Sequence, residues 1–143
     1  DKQVTKEAIE RTNNNDYQID NTYYDKYIRV KYNQLKDSSK NTKYDDSKEY
    51  EDLDLLLSIV KDLKLNIKFA ILPAHGKWSD YTGINSEKRQ VAYNKLKEIA
   101  KKNNIEVMDY SSKEYEDYYM YDAMHLGWRG WIDFERDLYK LKK

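Results

Sequence analysis

Asp122 and His125 are the residues of this chain best suited to chemistry. They stand in the stretch Tyr121-Asp122-Ala123-Met124-His125-Leu126-Gly127-Trp128-Arg129-Gly130-Trp131. Residues three apart in a turn or an opening helix share one side of the backbone, so a carboxylate and an imidazole at that spacing come near hydrogen-bonding reach. An acid that accepts the Nδ1 proton leaves Nε2 free to act as a base. The third member of such a constellation is a nucleophile, and the chain does not obviously contain one.

Spacing alone is a weak signal. With 26 Asp and Glu in 143 residues and 2 histidines, an acid falls three residues before a histidine by chance roughly one time in three. The bland alternative for Asp122 and His125 is a solvated loop or a hydrogen bond at a helix start. The flanks favour chemistry: Gly127 and Gly130 are two of 4 glycines, and Trp128 and Trp131 are two of 3 tryptophans. Tight backbone approaches and large apolar walls are therefore concentrated around the histidine. A zinc site built from His125, Asp122 and His75 is conceivable. No compact ligand motif supports it and a triad fits better, so neither metal nor cofactor is expected.

Composition narrows the class. Lys and Arg total 26 against 26 Asp and Glu, so no global basic field exists to bind nucleic acid. The absence of cysteine removes disulfide and thiol chemistry. No apolar run of about 18 residues is present. The length fits one domain, and the chain, which starts at Asp1 without a signal peptide, is expected to be a fragment of something longer.

The elements that must position the pair follow from periodicity. A helix is expected from Lys2 to about Asn13, with Val4, Ala8 and Ile9 on one side. Tyr17 to Asp46 reads as a tyrosine-anchored excursion with a short helix at Tyr24–Leu35. Leu53, Leu56, Leu57, Val60 and Leu63 mark an amphipathic helix opened by acids. Ile67–Leu72 is an apolar strand stopped by Pro73, and Ala74–Trp78 is a loop at its carboxyl end. A helix from Ser86, with Ala92, Leu96, Ile99 and Ala100 inward, leads to a second strand at Ile105–Asp109. Trp131, Phe134, Leu138 and Leu141 stripe a final helix.

Helix, strand, helix, strand, helix is the rhythm of a three-layer α/β domain with parallel strands. Two strands are too few for a sheet buried on both faces. Either the Tyr17–Asp46 segment hides strands or others lie in sequence outside this chain, and the second is favoured. Ligands of open α/β sheets gather at the carboxyl ends of strands. The His75–Tyr81 loop and the segment leading to Asp122 both fall there.

Ile71-Leu72-Pro73-x-x-Gly76-Lys77-Trp78-x-Asp80-Tyr81-Thr82-Gly83, taken with His125-Leu126-Gly127-Trp128-Arg129-Gly130-Trp131, resembles the carboxyl-terminal part of the DltD family, the D-alanyl transfer proteins of Gram-positive bacteria. Asn21-Thr22-Tyr23-Tyr24-Asp25-Lys26-Tyr27 resembles that family's pattern too, so the likeness runs over nearly the whole chain. That family is similar to SGNH-type hydrolases, an α/β/α sandwich whose last block is Asp-x-x-His. The resemblance implies an incomplete carboxyl-terminal portion of such a sandwich, with Asp122 as triad acid and His125 as base. The nucleophilic serine would lie upstream of Asp1, since no serine of this chain sits in a Gly-Asp-Ser-like turn. His75 departs from the pattern, in which asparagine often precedes Gly-Lys-Trp.

The implied activity is D-alanylation of teichoic acids through a serine ester. The implied partners are the teichoic acid polymer, a D-alanyl donor or carrier protein, and other D-alanylation membrane proteins. The implied location is the extracellular face of the cytoplasmic membrane, reached through an N-terminal helix absent from this chain. His75, Lys77, Trp78, Tyr81, Trp128 and Arg129 are the candidate substrate contacts. The cations suit phosphates and the aromatic rings suit a polyol or sugar face. Their alternatives are ordinary surface charge and packing. The tyrosines Tyr115, Tyr118, Tyr119 and Tyr121 read as packing with polar tips. The rival to an enzyme is a non-catalytic module that binds teichoic acid or a carrier protein.

Overall fold

The computed structural model describes residues 2–141. Helices dominate, and the sheet is small. In chain order the helices are α1 (Lys2–Arg11), α2 (Asn21–Tyr23), α3 (Tyr32–Leu35), α4 (Lys48–Asp62), α5 (Gly76–Tyr81), α6 (Ser86–Lys102) and α7 (Trp128–Lys140). The strands are β1 (Lys68–Ile71) and β2 (Glu106–Asp109). They pair in parallel, with Lys68 opposite Glu106 and Ile71 opposite Asp109. The fold is thus α/β with a parallel sheet. Among the described residues the sheet has two strands, and no helix is long and apolar enough to cross a membrane.

The β1–α6–β2 unit explains itself locally. Asn85 caps α6 by accepting from the Lys88 amide, and the helix packs across both strands with Tyr93 and Ala100 buried. α4 starts on Ser47, whose hydroxyl accepts from the Glu49 amide, with acids in its first turn. It lies along α6, where Asp54 accepts from Asn103 at 2.8 Å. Leu57, one turn further on, is buried, but Leu56 and Leu63 are exposed. The apolar stripe of α4 is wider than the surface α6 offers it.

The Tyr17–Asp46 excursion contains no strand among the described residues. A helical run instead joins Asn21 to Leu35, passing through a π-helical turn at Tyr24–Ile28 and a 3-10 turn at Arg29–Lys31. Asp20 starts it by accepting from the amides of Thr22 and Tyr23. Ile19 and Ile28 pack with Trp78 in one apolar cluster, ringed by tyrosines of the excursion.

Two expectations need correction. The segment after β1 is helical from Gly76 rather than a loop throughout, because the His75 side chain caps α5. The inward face of α7 is also rotated from the expected stripe. Gly130 is buried against the Tyr119 carbonyl, Phe134 joins the Tyr110–Tyr119–Met120–Leu126 cluster, and Asp137 accepts from the Tyr110 hydroxyl at 2.9 Å. Those positions are four and three apart, a true helix face. Trp131 is turned off that face and is 52% exposed; Leu138 and Leu141 are exposed as well.

Candidate active site

Asp122 and His125 sit in a pinched hairpin after β2. Met120 and Leu126 form an antiparallel bridge, the Tyr121 amide donates to the His125 carbonyl at 2.8 Å, and the Gly127 amide donates to the Tyr119 carbonyl at 2.7 Å. At Gly130, a Cβ would lie 2.4 Å from the Tyr119 carbonyl oxygen, so a side chain there would push α7 off the hairpin. The glycines flanking His125 are thus requirements of backbone contact.

Inside the hairpin, Asp122 closes the turn on itself. Its Oδ1 accepts from the backbone amides of Met124 and His125, each at 2.9 Å. The His125 ring Nδ1 lies 2.8 Å from Oδ2 and 3.0 Å from Oδ1. The carboxylate therefore imposes the tautomer that carries its proton on Nδ1. The Asp122 side chain is 5% exposed and that of His125 is 72% exposed. Among the described residues nothing hydrogen-bonds Nε2, so a held acid presents a free, outward-facing basic nitrogen.

The loop after β1 meets this turn. The His75 amide donates to the Ala123 carbonyl at 3.2 Å, which brings the carboxyl ends of the two strands to one place. Both nitrogens of the buried His75 ring are already engaged. Trp78 donates its amide to Nδ1 at 3.4 Å, so Nε2 carries the proton and donates to the Tyr17 carbonyl at 2.7 Å. Burial pushes the ring's pKa down, and Lys77 adds to the effect, while the Tyr17 carbonyl and Asp122 work against it.

The other sequence candidates separate. Trp78 and Tyr81 are packing residues here. Their rings stack with centroids 5.4 Å apart, and the Tyr81 hydroxyl donates to the Tyr32 carbonyl at 2.9 Å. Trp128 is half-buried beside Tyr121 with the Arg11 guanidinium over its ring. Lys77 and Arg129 converge on one acidic loop: Lys77 lies 3.6 Å from Asp117, and Arg129 lies 3.9 Å from Glu116. Ala123 and Met124 help line a mostly apolar groove of about 450 Å³, together with Ala74, Trp78 and Tyr93.

A carboxyl-terminal hairpin with a held Asp-x-x-His pair, met by a Gly-Lys-Trp helix start, is the arrangement that the sequence motifs imply. The family described as "DltD protein" matches residues 1–143. The chain belongs to the DltD family. It is similar to Protein DltD of Bacillus subtilis (strain 168), 36% identical over 132 residues, which is 90% of this chain and 33% of that protein. It is also similar to Protein DltD of Staphylococcus aureus (strain NCTC 8325 / PS 47), 33% identical over 97 residues, covering 68% of this chain and 25% of that protein. A third relative, Protein DltD of Lacticaseibacillus rhamnosus, is 31% identical over 134 residues, or 93% of this chain and 32% of its own length. The chain thus spans a quarter to a third of the length of these relatives.

Sequence reading missed several residues that build the site. Asp20 is buried, pairs with Arg11 at 2.7 Å, and donates its amide to the Tyr121 carbonyl at 2.9 Å, buttressing the hairpin from the excursion. Arg89, Tyr93 and Glu114 form a buried network beneath His75. One signal was legible: Arg89 lies three and four residues before Ala92 and Tyr93, which puts a cation on the inward face of α6.

Proposed function

We propose that this chain is the base-bearing part of a serine acyl transferase that places D-alanyl esters on teichoic acids. The observation that carries the reading is the Asp122–His125 pair: a buried carboxylate 2.8 Å from Nδ1, with Nε2 open to solvent. That is what general base catalysis by a triad histidine requires. Membership of the DltD family supplies the substrate class. The nucleophilic serine belongs to the remainder of the longer protein, which is held by an N-terminal helix at the outer face of the cytoplasmic membrane.

In this scheme Nε2 of His125 takes the proton of the serine hydroxyl as its oxygen bonds to the D-alanyl carbonyl carbon. The same proton then passes to the leaving group as the donor bond breaks, and a D-alanyl ester remains on the serine. A polyol hydroxyl of the teichoic acid next gives its proton to Nε2 and attacks that ester, and the proton returns to the serine oxygen. Asp122 keeps the ring in one tautomer and offsets the charge it gains in each half. Donor or carrier protein and acceptor polymer are thus partners in turn, alongside the other D-alanylation membrane proteins.

Lys77 and Arg129 are the contacts proposed for acceptor phosphates. Both are half-exposed, and their acid partners stand at 3.6 and 3.9 Å. Ion pairs that long and that exposed contribute little, so a phosphate can replace them. Trp128 is the proposed stacking face. The substrate role read for His75, Trp78 and Tyr81 becomes one of shaping the site, since His75 has no free nitrogen and the other two rings are packed in the excursion's cluster.

A serine-directed phosphonate probe applied to the full-length protein tests this. Labelling that is lost in His125→Ala supports the enzyme. Equal labelling of both proteins, or none of either, points to a binding module instead.

A further inference from the structure

Three successive amides at the end of β1 donate to three different parts of the molecule. Ala74 donates to the Tyr93 hydroxyl at 2.8 Å, His75 to the Ala123 carbonyl at 3.2 Å, and Gly76 to the Glu114 carbonyl at 2.8 Å. The middle bond holds the Asp122–His125 turn. The outer two hold the segment that makes it.

Both outer anchors belong to one buried network. The Glu114 carboxylate accepts from the Tyr93 hydroxyl at 2.8 Å and from Arg89 twice, at 2.6 Å to Oε1 and 3.0 Å to Oε2. The side chains of Arg89 and Glu114 are 3% and 4% exposed. Asp80 accepts from the same guanidinium at 2.7 Å. Burial alone would lower the Arg89 pKa, but Glu114 and Asp80 outweigh it and hold the charge in place. A Cβ on Gly76 would lie 2.9 Å from the Glu114 carbonyl oxygen, so the third anchor also leaves no slack.

Buried ion pairs of this kind are poor stabilisers, because apolar residues of similar volume often do as well or better. The pair is therefore weak evidence for a stabilising role, which leaves room for another. We propose that Tyr93, Glu114 and Arg89 are positioning residues that set the Asp122–His125 turn from outside the site, through the backbone of Ala74–Gly76. The network touches no reacting atom. It fixes where the Ala123 carbonyl is held, and with it the aim of Nε2. This rests on the acyl-transfer reading above. Misplacing a base by about 1 Å is enough to cost about 100-fold in rate.

The test uses the full-length protein and the rate of phosphonate labelling across pH, with thermal melts alongside. Tyr93→Phe deletes one oxygen and keeps the ring, leaving the Ala74 amide without its acceptor. The expected result is labelling slowed by about 10-fold or more at the plateau, an altered acid limb of the pH profile, and a melting point within about 5 °C of the parent. The double variant Arg89→Met/Glu114→Leu removes the buried charges while keeping bulk, and should melt near the parent and label as slowly. Parental rate and pH profile in Tyr93→Phe would overturn the proposal, even if the double variant fails to fold. A His125→Ala control separates the two failures. If it still labels, the catalytic reading falls; if it does not, while Tyr93→Phe labels normally, only the positioning role falls.

Discussion

The His75 amide and the Ala123 carbonyl, 3.2 Å apart, join the carboxyl end of β1 to the hairpin that follows β2. Residues almost fifty positions apart in the chain thereby share one small region. That bond anchors, from outside the hairpin, the turn in which the carboxylate meets the ring.

Replacing His125 by alanine in the full-length protein should abolish D-alanine esterification of the cell wall while leaving the melting point nearly unchanged. The ring is largely exposed, so little packing is lost, whereas the base is lost entirely. Asp122→Asn should slow esterification less, since an amide can still hold the ring, though in the wrong tautomer. Ester content of purified walls is the measurement. Normal content with the His125→Ala protein present would end the catalytic reading.

Protonation of His75 should destabilise the fold. Its pKa is pushed below the ordinary value near 6.5 by burial, so the native state binds fewer protons than the unfolded chain. The stabilising contribution is complete above about pH 6.5 and is lost as pH falls through the lowered native value. His75→Asn keeps a side-chain acceptor for the α5 start and has nothing to titrate. Melting curves between pH 5 and 8 should show a steeper acid decline for the parent than for this variant; parallel declines would contradict the burial argument.

Tyr119 carries a buried hydroxyl with no hydrogen-bond partner among the described residues. Burial, with Asp133, Asp137 and Glu116 nearby, pushes its pKa up to about 12. An unpaired buried hydroxyl costs about 1–3 kcal/mol, so Tyr119→Phe should leave stability unchanged or raise it. Denaturant titration decides the matter, and a clear loss of stability would reveal a partner for that oxygen.

Leu57 and Trp131 should rank opposite to their sizes. Leu57 is 2% exposed, and truncating it to alanine should cost about 2–5 kcal/mol. Trp131→Ala should cost less than the ~3–5 kcal/mol of a fully buried large aromatic, because about half of the ring lies outside the contact face of α7. The same denaturant series measures both. A larger loss at Trp131 would mean that the rest of the longer protein covers that ring.

Local chemistry made much of this protein legible from its sequence alone. The strand positions, the long α4 and α6 and the Asp-x-x-His turn follow from short-range periodicity, caps and spacing, which depend on neighbours in the chain, whereas the family was legible only as a resemblance of whole motifs. An acid three residues before a histidine needs only a turn to meet it, and Asp122 makes that turn with its own Oδ1. Tertiary structure decided what depends on distant partners. His75 reads in sequence as a loop histidine hydrogen-bonded locally or a substrate contact, yet the acceptor of its Nε2–H is the carbonyl of Tyr17, 58 residues away. The face of α7 was set by how closely Gly130 approaches Tyr119, which periodicity could not rank against a tryptophan one residue on. The spacing of Arg89 hints at an inward cation, but Tyr93 and Glu114 read as ordinary polar residues until the fold buries the three together. The reason is physical: a buried polar group must find its partner wherever the chain brings one.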